Sequence, residues 1–281
     1  MQYAFSKDIK LKSSFGLFHQ FINQLEHFGE QGLNARTDFW VLSKPETGSQ
    51  LKATKAALGV VYEPKNWLLD LEVYYNNTSG ISSASSVLNM DGLIEGTGNS
   101  EVFGLGVLLK RKWNNFNFWI NHTLSRNIFK SPSSSFGDFP SNNDQRHNLR
   151  IYNTYTWKKW NFSLSYSYKT GLPFSVLTGI TQVTSEENPI VVNQLTYDEL
   201  NNRKLGDYSR IDFGVAYRTK LFTDKTNLDA RVSILNLLNT KNSFSKAHFI
   251  SDTESMSPSQ INSIETFQLQ CTPQFSLRFY W

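Results

Sequence analysis

The chain has 281 residues, and five histidines (His19, His27, His122, His147, His248) and one cysteine, Cys271, are its candidate soft metal ligands or nucleophiles. A lone cysteine allows neither an internal disulfide nor a multi-thiolate zinc site. His19 and His27 share a stretch with Glu26 and Glu30, donor types that suit a divalent metal. Their spacing repeats no regular ligand pattern, so no metal is expected. Asp138, Asp144 and His147 lie close in sequence, as a carboxylate–imidazole pair for acid–base work would. No nucleophile or oxyanion-type motif accompanies them, and no phosphate-binding glycine loop occurs. Gly104 and Gly106 fall inside an alternating segment, where they ease close backbone approach. No catalytic residue and no cofactor is expected.

The strongest pattern has period two, and it decides the elements. Trp67, Leu69, Leu71, Val73 and Tyr75 alternate with Leu68, Asp70, Glu72 and Tyr74. Phe116–Ser125, Trp160–Lys169, Ile211–Arg218, Leu228–Ile234 and Phe275–Trp281 alternate in the same way. Successive side chains on a strand point to opposite faces, so each segment has one apolar and one polar side. Weaker strands read at 9–18, 53–63, 100–112 and 146–157, and Tyr3 and Phe5 read as the tail of another. Each runs about 10–12 residues, whereas soluble strands usually run 5–6. A tilted membrane-crossing strand needs about 9–11.

Composition agrees without deciding. Aromatic residues make up 14% of the chain and charged residues 19%, too aromatic for a disordered polar chain. A net charge of +4 is too small to point to nucleic acid. No apolar run approaches the roughly 20 residues of a helical span.

The connections alternate in length. Short ones fall at Glu63–Asn66, Trp113–Asn115, Trp157–Trp160 and Phe222–Thr226. Long ones run over 19–52, 76–99, 127–146, 171–207 and 237–266, rich in Ser, Asn, Gly and Pro. Tight turns at one end and long loops at the other are the pattern of an outer-membrane barrel. Trp67, Trp113, Trp157 and Trp160 sit beside the short turns, and an interfacial girdle is expected there. Phe129, Tyr75 and Phe174 are candidates for a second girdle. His122 falls on the apolar side, as a girdle or packing residue. The expected lumen-facing side carries Asp70, Glu72, Arg150, Lys169, Arg218 and Arg278, together with Arg210, Asp212, Asp229 and Arg231, four charges placed for a cross-strand network. Structural ion pairs are the simpler reading of these charges than a substrate site.

Several segments, in order, carry a family likeness: Asp144–Leu149, then Thr170-Gly171-Leu172-Pro173-Phe174, Tyr208–Phe213, Asn236-Leu237-Leu238-Asn239, and Thr272–Phe279. Gly16–Phe21 adds to them. Together they make the chain resemble the C-terminal barrel portion of a TonB-dependent outer-membrane receptor of the Bacteroidetes type. The resemblance implies an all-β fold: an antiparallel up-and-down transmembrane β-barrel, partial, of about ten long strands. Residues 1–281 would form one unit of it, with the plug domain absent. It implies energy-coupled uptake of a scarce nutrient, a metal chelate or a glycan, and no transport by this portion alone. Its implied partners are outer-membrane lipid, the barrel assembly machinery, the TonB complex and a surface lipoprotein. Phe275, Leu277, Phe279 and Trp281 would be the assembly signal, although the family more often ends in phenylalanine. The first residues contain no apolar signal core.

An open sheet of this kind would leave backbone groups unpaired in lipid, so it must join further strands or close on itself. Two other readings stay open on the sequence: a self-contained small barrel acting as a passive pore or adhesin, and a soluble carbohydrate-binding β-sandwich.

Overall fold

The computed structural model describes residues 1–28, 36–43, 50–82, 97–130, 137–184, 191–197, 199–221, 226–251 and 260–281. The principal strands are β1 (Gln2–Ala4), β2 (Ile9–Gln20), β3 (Leu51–Tyr62), β4 (Trp67–Ser82), β5 (Thr97–Trp113), β6 (Phe116–Lys130), β7 (His147–Trp157), β8 (Trp160–Lys169), β9 (Tyr208–Leu221), β10 (Thr226–Leu235) and β11 (Thr272–Tyr280). Their order in space is their order in the chain, within a 12-stranded sheet whose remaining member, Phe139–Pro140, pairs beside β6. Every pairing is antiparallel. The architecture is all-β and up-and-down, and β1 and β11 stand as its two edges among the described residues.

Register carries the sequence alternation across the whole sheet. One row runs Leu58, Val73, Leu105, Leu124 through β3 to β6, and another runs Phe162, Val215, Val232, Phe275 through β8 to β11. The opposite face carries rows such as Asn117, Thr154, Ser163, Gly214, Ser233, Gln274. The apolar rows are not a core. Leu58 is 63% exposed, Phe103 62% and Phe275 71%, and the buried hydrophobics among the described residues are Phe129, Leu177 and Ala216 alone. No second layer covers this face among the described residues. That excludes a sandwich, in which the same side chains would interdigitate with a facing sheet. It is the arrangement of a strand meander whose apolar face meets hydrocarbon.

The tight turns lie at one end. Asn114 and Lys158 take left-handed backbone (φ 45° and 53°) in the turns joining β5 to β6 and β7 to β8. Asparagine tolerates that region better than most residues. Residues 222–225 of the fourth short turn lie outside the described residues.

The long connections differ from their sequence reading. Within 19–52, Ile22–Phe28 pairs with Arg36–Leu42. Within 171–207, Leu177–Thr184 pairs with Val191–Tyr197, and within 237–266, Ser243–Ser251 pairs with Gln260–Phe267. These are hairpins, not irregular loops. The 76–99 connection is shorter than its reading, because β4 continues to Ser82 and β5 begins at Thr97. Backbone pairing continues where the hydrophobic contrast between faces has faded.

Candidate functional site

Two regions concentrate polar chemistry: the polar face of the sheet and the rim where strands enter the long connections. On the face, Lys12 bridges two carboxylates of β4, donating to Asp70 Oδ2 at 2.8 Å and lying 2.8 Å from Glu72 Oε2. The register explains the bridge: Lys12 faces Gly59, which has no side chain to intervene, and Glu72 lies opposite on the far side of that glycine. On the opposite side of the sheet, Glu101 and Lys130 pair at 2.7 Å at the loop end of β5 and β6, beyond Phe103. Trp119 packs on Tyr152 with ring centroids 5.6 Å apart. Gly104 leaves the space that the Tyr74 ring fills on the polar face.

Arg210, Asp212, Asp229 and Arg231 share the polar face by register, but they do not form one network. Arg210 Nε donates to Asp212 Oδ1 at 2.5 Å within β9. Asp229 instead receives Arg218 Nε at 2.9 Å, because Arg218 and not Arg210 stands opposite it. Arg231 stands opposite Ala216 and Ser276. Of the expected quartet, Arg210 and Asp212 therefore pair with each other, Asp229 pairs with Arg218 from outside it, and Arg231 joins neither pair.

The rim is a set of polar clips. The most buried polar residues are Asp144, Asn201, Asn236 and Asn242, and each of them joins a strand end to a loop. Asp144 Oδ1 accepts the Asn127 backbone N–H at 2.7 Å. Asn242 accepts the Ser209 N–H at 2.8 Å and donates to the Ser209 carbonyl at 3.0 Å. Asn236, at φ 52°, donates to the carbonyls of Thr240 and Leu269 and accepts the Thr240 N–H at 3.0 Å. Its backbone N–H reaches Asp212 Oδ1 at 2.9 Å, so the paired charges and the clip share an acceptor. Asn201 donates to the Pro140 carbonyl at 2.7 Å and to Asn142 Oδ1 at 2.5 Å, while its own N–H donates to Ser175 Oγ at 2.9 Å. It ties together segments that begin near residues 137, 171 and 199. Asn201→Ala should cost about 1–3 kcal/mol, the scale of stranding buried polar partners. Faster limited proteolysis of the loops in intact membranes is the expected result, and unchanged cleavage would contradict it.

Asp207, just outside β9, accepts Tyr168 OH at 2.6 Å and the Gly171 N–H at 3.0 Å. The Tyr168 hydroxyl and then the Gly171 N–H hold its carboxyl below the ordinary value of 3.8. A depressed carboxyl stabilises the fold above its unfolded-state value and stops doing so as pH falls through its folded value. The clip at Gly171 should be intact at neutral pH and loosen only below about pH 4. Hydrogen exchange of the Gly171 amide against pH checks this. Asp207→Asn should make the protection of that amide, relative to its intrinsic exchange rate, independent of pH over the same range.

His147 does not join Asp138 and Asp144 in an acid–base set: its Nδ1 lies 3.3 Å from His122 Nε2, and the two rings stack. Both histidines are on the apolar face by register, with Leu124 and Leu149 as cross-strand neighbours. His19 faces Lys52 at the end of β2. His27 and Glu26 belong to a strand whose side chains are not described, and Glu30 lies outside the described residues. Cys271 is exposed, with its N–H donated to Asn239 Oδ1.

Trp67, Trp113, Trp157 and Trp160 all stand beside the tight turns, half-exposed. Trp157 faces Trp160, and the Trp160 ring packs on Tyr217 at 4.7 Å. Phe129 is not part of a second girdle. It faces the polar side, is 7% exposed and packs on Phe139 at 5.3 Å. Phe275, Leu277 and Phe279 point outward along β11, with Leu277 opposite Ala230 and Phe279 opposite Leu228. Trp281 follows them at the turn end and is exposed. The sequence reading missed the clips at Asn201, Asn242 and Asp207. Their only local mark is a polar residue beside a strand end.

Comparison with known proteins places this geometry. A family model described as "TonB dependent receptor-like, beta-barrel" matches residues 14–237. Among solved structures, the ferric yersiniabactin uptake receptor FyuA of Yersinia pestis is similar at 13% identity and a TM-score of 0.54. That match covers 95% of this chain and 36% of the receptor. FpvA of P. aeruginosa, solved with a heterologous pyoverdine and iron, is similar at 12% identity and a TM-score of 0.55. It covers 99% of this chain and 32% of FpvA. At such identities the structural likeness speaks for the fold, and the chain spans about a third of each receptor. No curated protein matches. With the family model covering most of its length, the chain belongs to the TonB-dependent receptor β-barrel family, whose members are receptors and transporters of the outer membrane.

Proposed function

We propose that this chain is the C-terminal part of the barrel of a receptor that takes up a scarce nutrient across the outer membrane with energy from the TonB complex. The observation that carries the reading is the two-faced sheet: one face of exposed leucine, valine and phenylalanine, the other lined with paired charges, amides and hydroxyls. A hydrated passage needs the second, and lipid needs the first. A metal chelate or a glycan is the substrate class. That FyuA is a ferric yersiniabactin uptake receptor and FpvA binds a pyoverdine–iron complex favours the chelate. In this reading the outer rim clips hold the loops that meet the ligand, and the charges of Arg210, Asp212, Asp229 and Arg231 face the lumen. Assembly is proposed to read the outward face of β11 at Phe275, Leu277 and Phe279 with Trp281, and a surface lipoprotein is the proposed partner for capture.

The portion is proposed to need a plug and further barrel strands to transport. Energy-dependent uptake of a ferric chelate and of an oligosaccharide should be measured with the 281-residue chain alone and joined to an upstream plug-and-barrel segment. Uptake by the joined form only is expected. Uptake by the chain alone would refute the dependence on a plug.

A further inference from the structure

We propose that Trp67, Arg111 and Trp113 form a docking site for the phosphate of a phospholipid in the leaflet beside the tight turns. Register puts Arg111 on the apolar face, between Trp67 of β4 and Phe118 of β6. A cation on that face is tolerated only near the interface, and this one is near the turn end of β5. Its guanidinium carbon lies 4.2 Å from the Trp67 ring centroid and 4.4 Å from that of Trp113. Both indoles hold the charge by cation–π attraction.

A guanidinium stacked on rings keeps its in-plane N–H donors, and those donors fit a phosphate in bidentate fashion. Arg111 makes no ion pair among the described residues, so the fork is not already filled by a carboxylate. The surroundings supply the rest of a lipid site. Leu69 faces Leu109, and Leu71 faces Val107, on the same side toward the membrane interior, a track for an acyl chain. Lys65 in the adjoining turn is exposed and adds positive charge at headgroup level. The occupant is an anionic phosphodiester lipid, with its phosphate on Arg111 and its chain on the leucine track.

The test uses protein purified from outer membranes, delipidated, and titrated with phosphatidylglycerol while bound lipid is counted by native mass spectrometry. Arg111→Gln should weaken binding about tenfold, the scale of one charge-assisted hydrogen bond. Arg126→Gln removes an apolar-face arginine at the other end of the neighbouring strand and should leave binding unchanged. Millimolar inorganic phosphate should not displace the lipid. Wild-type binding by the Arg111 variant, equal loss in the Arg126 variant, or displacement by free phosphate would overturn the proposal. A comparison needing no variant stands beside these. Wild-type protein should retain phosphatidylglycerol over a diacylglycerol of the same chains, and equal retention would overturn the proposal even if Arg111→Gln fails to fold.

Discussion

Val73→Arg should lower stability in the membrane by about 2–4 kcal/mol, the cost of a lipid-facing arginine at mid-depth. Val73 lies six residues from Trp67 along β4. At about 3.3 Å per residue and a tilt near 45°, that is roughly 14 Å above the tryptophan level. The outward apolar band is about 25 Å tall, so Val73 stands near its middle. The side chain is 43% exposed and is flanked across the sheet by Leu58 and Leu105, which cannot neutralise a charge. An arginine is too far from either interface to escape fully by bending. Thr123→Arg is the matched control, because Thr123 stands on the polar face between Gly106 and Asn148. It should change stability by less than about 1 kcal/mol, as surface substitutions away from special features do. Urea unfolding in lipid vesicles measures both, and equal costs would contradict the assignment of faces.

Asn236→Ala should destabilise the β10 end by about 2–4 kcal/mol. Two terms add. The variant strands the Thr240 N–H and the carbonyls of Thr240 and Leu269, which the amide now satisfies in a site only 1% exposed. Stranding buried polar groups costs about 1–3 kcal/mol. The backbone there is left-handed, a region asparagine tolerates better than alanine, which adds roughly another 1 kcal/mol. Asn236→Gly separates the terms, since glycine accepts the backbone but restores none of the hydrogen bonds. Glycine should recover part of the loss. A glycine variant as stable as wild type would mean that the amide's bonds contribute nothing.

These two sites show what a reader of the sequence can and cannot extract. Val73 was legible because its neighbours Asp70, Glu72, Leu71 and Tyr75 face two different solvents, and period two writes that difference directly. The same logic gave β8, β9 and β10 close to their observed bounds. It failed where the contrast fades. Phe129 reads as an interfacial aromatic, yet its place on β6 turns it to the polar side against Phe139. The hairpins within 171–207 and 237–266 lie in segments whose Ser, Asn and Thr content reads as loop. The clip at Asn201 joins groups 26 to 61 residues away, and no local pattern encodes those partners. The Asn236–Asn239 motif was visible as a family likeness. Its work, closing a turn with Asn239 N–H on the Asn236 carbonyl and sharing Asp212, needed coordinates. Arg210, Asp212, Asp229 and Arg231 were all placed on the right strands, but which cation meets which carboxylate depends on a register that sequence does not state.

Cysteine scanning along β4 in native outer membranes, with Cys271 replaced by serine, tests the two-faced sheet most directly. Single cysteines from Leu69 to Tyr75 would be challenged with a charged, membrane-impermeant thiol reagent and, separately, with a lipid-soluble spin-label quencher. Positions 70, 72 and 74 should react with the charged reagent, and positions 69, 71, 73 and 75 should respond only to the quencher. Uniform reactivity along the strand, or protection of both sets from both reagents, would contradict the account.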